Sequence, residues 1–104
     1  MEQWYKDARD QLNKYRFYYR IVNSVSFPKH GNERAKRMQY WCETVASTVD
    51  RLPDRQAALL RYEFLEPSCG RQVAQRQLQV ANSQYCSIRK QAIANWWELV
   101  NRGR

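Results

Sequence analysis

The fold is decided by three runs of helix-forming residues in the C-terminal half of the chain. They are DRQAALLRYEFL (54–65), RQVAQRQL (71–78) and SQYCSIRKQAIANWWELV (83–100). Pro53 precedes the first run, Pro67, Ser68 and Gly70 follow it, and the short turn QVAN (79–82) separates the other two. Proline at a helix start and proline or glycine after a helix end are typical boundaries. We therefore predict three helices, the last two in the order of a helix-turn-helix motif.

Two longer helical patterns precede this region. Between residues 2 and 23, apolar side chains recur every three or four residues, and a second such pattern runs from 33 to 51, with Asn32 placed to cap it. The two stripes consist of Trp4, Ala8, Leu12, Tyr15, Tyr19 and Val22, and of Met38, Cys42, Val45, Val49 and Leu52. No segment alternates with a period of two. We predict a single all-α domain (1–104) of about five helices, in which an N-terminal helical hairpin (1–52) packs on a helix-turn-helix part (53–104).

The composition favours a polyanionic partner. The chain has 104 residues, of which 43% are hydrophobic, so it can bury one modest core. Its net charge is +8, and residues 69–104 contain six basic residues and one acid. Such a balance is typical of proteins that bind nucleic acid. A membrane surface is the rival polyanion, but the basic residues do not lie opposite one wide apolar face, as an interfacial helix requires.

The residues that would carry catalysis or bind a metal are too scattered to form a site. Cys42, Cys69 and Cys86 are widely spaced, and His30 is the one histidine. A structural zinc site needs about four clustered ligands, and no glycine-rich phosphate loop or paired-carboxylate motif is present. We expect no metal, no cofactor and no enzymatic activity.

The start of the chain and its hydropathy indicate a cytoplasmic protein. The opening MEQWYKD lacks the apolar core of a signal peptide. No apolar run approaches the roughly 20 residues that a transmembrane helix needs. We therefore expect a cytoplasmic location and no membrane partner.

The last predicted helix has one apolar face and one polar face. Its inward stripe is Tyr85, Ile88, Ala92, Trp96 and Leu99. The opposite side carries four candidates for contact with base edges in a DNA major groove, Gln84, Ser87, Lys90 and Gln91. Glutamine can bond bidentately to adenine, lysine reaches guanine acceptors, and serine can serve either base.

Five further residues are candidates for contact with DNA phosphates. Ser83 is predicted to cap the helix, where backbone N–H groups and the helix dipole favour an anion. Arg89 lies at the edge of the apolar stripe, which suits a backbone contact better than a base contact. The full set of predicted phosphate contacts is Arg71, Arg76, Ser83, Arg89 and Arg102.

Several short motifs resemble those of known transcription proteins. Leu52-Pro-Asp-Arg55, Leu60-Arg-Tyr62 and Leu65 are similar to the opening of the fourth region of primary sigma factors. Ser83-Gln-Tyr85 and Lys90-Gln-Ala-Ile93 resemble the Ser-x-Tyr and Lys-x-Ala-Leu signature of ArpU-type phage regulators, whose layout RinA-type activators share. The chain departs from this pattern at Glu66–Gly70 and at Val80-Ala-Asn82. The resemblance implies a small phage or prophage regulator that activates late genes in a bacterial host.

Taken together, these features predict a transcriptional regulator that binds double-stranded DNA through the helix starting near Ser83. The aromatic N-terminal helices would form a homodimer or contact RNA polymerase. One alternative is a small DNA-packaging protein similar to a terminase small subunit, which a ring of about eight or more subunits in light scattering would indicate. Another is a protein-interaction module that contacts RNA polymerase without binding DNA. The operator sequence, the sign of regulation, the oligomeric state and the host stay open.

Overall fold

The computed structural model describes residues 2–24, 27, 32–66 and 70–102, and all regular secondary structure in these ranges is helical. The helices are α1 (Gln3–Val22), α2 (Glu33–Asp50), α3 (Asp54–Leu60), α4 (Arg71–Leu78) and α5 (Asn82–Arg102). A π-helical turn, Arg61–Leu65, continues α3 directly. The predicted all-α architecture of five helices is confirmed. The predicted helix breakers Pro67 and Ser68 lie outside the described residues.

The helix starts follow from local hydrogen bonds. The Asn32 side chain accepts a hydrogen bond from the Ala35 backbone N–H at 3.0 Å, which confirms it as the cap of α2. The prediction that Ser83 caps α5 is wrong, because the helix begins one residue earlier. The Ala81 carbonyl already accepts the first helical bond, from the Tyr85 N–H at 2.9 Å. Ser83 therefore lies inside the first turn of α5.

A single cluster of buried side chains, to which all five helices contribute, holds the fold together. The helices α1 and α2 pack along each other, and both also pack on α5. Trp96 of α5 is fully buried and donates its Nε1–H to the Val45 carbonyl of α2 at 3.3 Å. This bond gives the Nε1–H of Trp96 an acceptor. The largest buried side chain therefore leaves no unpaired donor in the core.

The buried face of α5 is wider than the sequence pattern predicts. Tyr85, Ala92 and Trp96 are buried as expected, whereas Ile88 and Leu99 are half-buried. Ile93 and Val100, which lie outside the predicted stripe, are buried as well. The reason is that α1 and α2 pack on α5 in addition to α3, so the helix is enclosed over more of its circumference than one stripe.

The turn between α4 and α5 depends on a left-handed residue. Gln79 has φ 55° and ψ 46°, and it ends α4. This conformation costs a residue with a Cβ atom about 1 kcal/mol relative to glycine. Val80 follows and packs against the core, which fixes the direction in which α5 leaves the turn.

Replacing Gln79 with glycine is therefore expected to raise the free energy of unfolding by roughly 0.5–1 kcal/mol. Gln77→Gly, in the exposed interior of α4, is the matched control and should lower it by about 1 kcal/mol. Urea denaturation followed by circular dichroism measures both. A decrease for Gln79→Gly as large as that for Gln77→Gly would contradict the role of the turn.

Candidate nucleic-acid interface

An exposed polar stripe runs along the first three turns of α5. Gln84, Ser87 and Gln91, at spacings of three and four residues, are all exposed. They lie on the side of the helix away from the buried Tyr85, Ala92 and Trp96. The N-terminal helices pack on the other sides of α5, so this stripe stays open to solvent. We call these three residues the polar stripe.

About one turn beyond Gln91, α3 comes close to this side of α5. Asn95 donates its side-chain N–H to Gln56 Oε1 of α3 at 2.9 Å, so α3 approaches the helix there. From Asn82 to Gln91 the helix extends about 14 Å at 1.5 Å per residue. A B-DNA major groove is about 12 Å wide and admits an α-helix. This part of α5 is therefore an exposed helical segment of the kind that such a groove admits.

The first turn of α5 adds backbone donors to this surface. Ser83 is exposed there, beside N–H groups that have no partner within the helix. Its hydroxyl and the positive end of the helix dipole could both act on an anion. The structure thus places Ser83 next to Gln84, at the amino end of the polar stripe.

Three cations, two beside this end of α5 and one farther along α4, have no acidic partner among the described side chains. Arg71 donates from Nη2 to Asn82 Oδ1 and to Cys86 Sγ, each at 3.0 Å, and its guanidinium lies 5.5 Å from the centre of the Tyr85 ring. Lys90 and Arg76 are exposed. Within the part of the chain that the structure describes, no carboxylate lies within ion-pair distance of these three side chains. Their charges are therefore available to an external anion.

Lys90 does not lie in line with the polar stripe. At about 100° per residue, Lys90 lies about 60° around the helix from Ser87 and about 120° from Gln84. Its side chain lines a cleft shared with Trp4 and Arg71. The structure thus places this predicted base contact on the flank of the helix that faces α1.

Arg89 is bound inside the protein. Its Nε donates to both carboxylate oxygens of Glu63 at 2.9 Å, its Nη2 lies 2.8 Å from Glu63 Oε2, and its Nη1 donates to the Tyr5 hydroxyl at 3.2 Å. Tyr85, fully buried, donates its hydroxyl to the same carboxylate. This network joins α1, the π-helical turn and α5. Arg89 is therefore committed to the fold and is not free to bind phosphate.

The ionisation states of the network follow from its burial and hydrogen bonds. Burial, together with the hydrogen bond to Glu63, raises the pKa of Tyr85 well above its usual range. Burial lowers the pKa of Arg89, but hydrogen bonds to the Glu63 carboxylate and its charge more than offset this, so that pKa is raised overall. At neutral pH the tyrosine thus stays a donor and the guanidinium stays charged.

Arg102 lies far from the other predicted contacts. It is about 28 Å along the helix from Ser83 at 1.5 Å per residue, and it pairs with Glu98 one turn earlier. The structure brings Ser83, Gln84, Ser87, Gln91, Arg71 and Lys90 to one end of α5. It leaves Arg102 at the opposite end, and Arg76 exposed on α4.

Two further observations concern other kinds of site. In the described ranges, no three histidine, cysteine or acidic side chains lie close enough together to hold a metal ion, whereas His30 and Cys69 fall outside these ranges. None of the described helices is both long and apolar enough to cross a bilayer.

Comparison of the chain with protein-family models, curated proteins and solved structures finds no match.

Proposed function

We propose that this protein is a transcriptional regulator that binds double-stranded DNA by inserting the amino-terminal half of α5 into the major groove. The observation that carries this proposal is the exposed polar stripe, which runs about 10 Å from Gln84 to Gln91 at 1.5 Å per residue. At the same end of α5 lie Arg71 and Lys90, two cations without acidic partners among the described side chains. Side chains of this kind bond base edges, and unpaired cations beside them bind the flanking phosphates.

Each residue of the surface has a distinct role in this proposal. Gln84 and Gln91 bond adenine through their amide groups, and Ser87 between them bonds either kind of base. Arg71, Arg76 and the first-turn Ser83 bind phosphate. Lys90 lies at the border of the stripe, so we assign it to a phosphate beside the groove or to a guanine at its edge. Arg89 takes no part, because Glu63 already holds it.

The biological role rests on the resemblance of Ser83-Gln-Tyr85 and Lys90-Gln-Ala-Ile93 to ArpU-type regulators. On that basis we propose a phage or prophage protein that activates late genes in the bacterial cytoplasm. A single helix contacts few base pairs, so useful specificity requires two copies or a partner such as RNA polymerase. Selection of sites from a random DNA pool would give the operator length and show whether it is palindromic.

The salt dependence of duplex binding tests the assignment of the cations. If Arg71, Arg76 and Lys90 each neutralise one phosphate, the logarithm of the association constant should fall with the logarithm of salt concentration with a slope of about −3. Arg71→Ala or Arg76→Ala should reduce the slope by about 1. Fluorescence anisotropy with a labelled duplex measures both quantities.

The matched control is Arg37→Ala, which removes the same charge from an exposed position on α2. It should leave the slope unchanged. The proposal fails if no duplex binds at low salt, or if all three variants change the slope equally, since that would indicate a general effect of net charge.

A second candidate is the protein-interaction module, which the exposed aromatic residues favour. Phe17 and Tyr40 are 65% and 71% exposed, on α1 and α2. Large exposed aromatic side chains are enriched at protein interfaces. This candidate gains support if duplex binding is absent while Phe17→Ser and Tyr40→Ser abolish binding to RNA polymerase.

A further inference from the structure

A cleft of about 700 Å³ opens between the start of α1 and the amino-terminal halves of α4 and α5. Its walls include Trp4 and Tyr5 from α1, Arg71 from α4, and Cys86 and Lys90 from α5. The volume lies within the range of roughly 300–1,000 Å³ that small-ligand sites occupy. The cleft therefore has the size to hold a small molecule, at a place where three helices converge.

Within the described part of the chain, the cleft contains two positive charges that no acid pairs with. Arg71 and Lys90 have no carboxylate within ion-pair distance among the described side chains, whereas the Arg89 charge is neutralised by Glu63. Glu2 is the acid among the lining residues, and its carboxylate accepts the Trp4 Nε1–H. Two cations against one acid favour an anionic ligand, which Arg71 can bind through the N–H groups that Asn82 and Cys86 do not occupy.

The aromatic wall suits a flat ring. Trp4 and Tyr5 are half-buried, and their ring centres are 5.6 Å apart at an interplanar angle of 83°. The Tyr5 hydroxyl is fixed by the Arg89 guanidinium, which holds this wall in place. Stacking of a nucleobase on an exposed aromatic ring stabilises binding without requiring a particular base.

We infer that this cleft binds a nucleotide, with the phosphate on Arg71 and Lys90 and the base against Trp4. Such a ligand needs a cationic group and a flat apolar surface at one place, and the cleft combines the two. The inference shares Arg71 and Lys90 with the proposed DNA contacts but does not use the polar stripe of α5. Duplex and mononucleotide binding, measured separately, therefore distinguish the two proposals.

Titration calorimetry with three probes tests the two halves of the site. Deoxyadenosine monophosphate carries both groups, deoxyadenosine only the ring, and inorganic phosphate only the charge. We expect the nucleotide to bind more tightly than either part. Arg71→Gln should weaken nucleotide and phosphate binding by about tenfold or more. Trp4→Leu should weaken nucleotide binding by about tenfold and leave phosphate binding unchanged.

Glu2→Gln is the control that distinguishes a change in the site from misfolding. It removes the opposing charge and keeps an acceptor for the Trp4 Nε1–H, so nucleotide affinity should rise. A rise cannot result from an unfolded variant. The inference is overturned if the nucleotide shows no saturable binding at millimolar concentration, or if Trp4→Leu and Arg71→Gln leave its affinity unchanged in folded protein.

Competition with duplex DNA distinguishes two natural occupants of the cleft, the phosphate of a DNA backbone and that of a free nucleotide. If duplex DNA displaces the mononucleotide from the wild type, and Arg71→Gln weakens both, the natural occupant is the DNA backbone beside α5. If both bind together, the occupant is a free nucleotide. Both results support the site. Nucleotide binding without any duplex binding would leave the cleft intact as a site and refute the proposed function alone.

Discussion

Replacing Glu63 with alanine is expected to lower the free energy of unfolding by about 3 kcal/mol or more. The carboxylate accepts bonds from Arg89 and Tyr85, and the residue is buried. Its removal leaves a half-buried guanidinium without its counter-ion and a buried hydroxyl without its acceptor, and each loss costs free energy. Urea denaturation at pH 7 measures the change.

Two variants distinguish this network from an ordinary loss of side-chain volume. Glu66→Ala removes an exposed acid just after the same π-helical turn and should change stability by less than about 0.5 kcal/mol. Glu63→Leu combined with Arg89→Met replaces both charges with apolar groups and should recover the part of the loss that the unpaired guanidinium causes, while the Tyr85 hydroxyl still lacks its acceptor. If the double variant is as unstable as Glu63→Ala, the unpaired charge is not the cause.

The network also explains why α1 stays beside α5. Arg89 bonds Glu63 of the π-helical turn and Tyr5 of α1 at once, so one side chain joins three elements. It holds the start of α1 against one flank of α5 and away from the polar stripe. The ion pair and the exposed residues Gln84, Ser87 and Gln91 thus lie on different sides of the same helix.

Helical periodicity was sufficient to predict the five helices. Spacings of three and four residues gave α1 and α2 to within a residue or two, and Asn32 and Pro53 marked two of the starts. The predicted core of α2 is confirmed at Cys42, Val45 and Val49, which are buried. These features are local, because capping and amphipathic spacing depend on neighbours along the chain.

The positions that were predicted incorrectly or missed depend on contacts between distant residues. Tyr19 continues the stripe of α1 but is 45% exposed, because α2 packs on Tyr18 through Trp41 instead. Arg89 looked available for phosphate, yet its partner Glu63 lies 26 residues away in the chain. A signal was present, since Glu63 follows Leu59 and Leu60 at helical spacing and an acid at such a position requires a buried partner.

The candidate site was predictable only in part for the same reason. The stripe Gln84, Ser87 and Gln91 follows from the period of one helix, and the structure keeps these residues exposed. The position of Lys90 in a cleft with Trp4 depends on where α1 begins relative to α5. No local pattern carries that information, so the cleft could not be found from the sequence.

Trp96→Ala is expected to lower the free energy of unfolding by about 4 kcal/mol. Trp96 of α5 is fully buried against α2, and its removal leaves a large cavity and removes the bond to the Val45 carbonyl. A domain of this size has a total stability of about 5–15 kcal/mol, so this loss would be a large fraction of it. Urea denaturation followed by circular dichroism measures the midpoint.

Two neighbouring changes separate packing from the hydrogen bond. Trp97→Ala removes an equally large side chain that is only half-buried, and it should cost less than half as much. Trp96→Phe keeps most of the buried volume but removes the Nε1–H, and it should cost about 1–2 kcal/mol. Equal losses for Trp96→Ala and Trp97→Ala would show that Trp96 does not anchor α5. If the anchor is real, Trp96→Phe should retain wild-type duplex affinity, because the Tyr85–Glu63–Arg89 network still holds the amino-terminal half of α5, where the polar stripe lies.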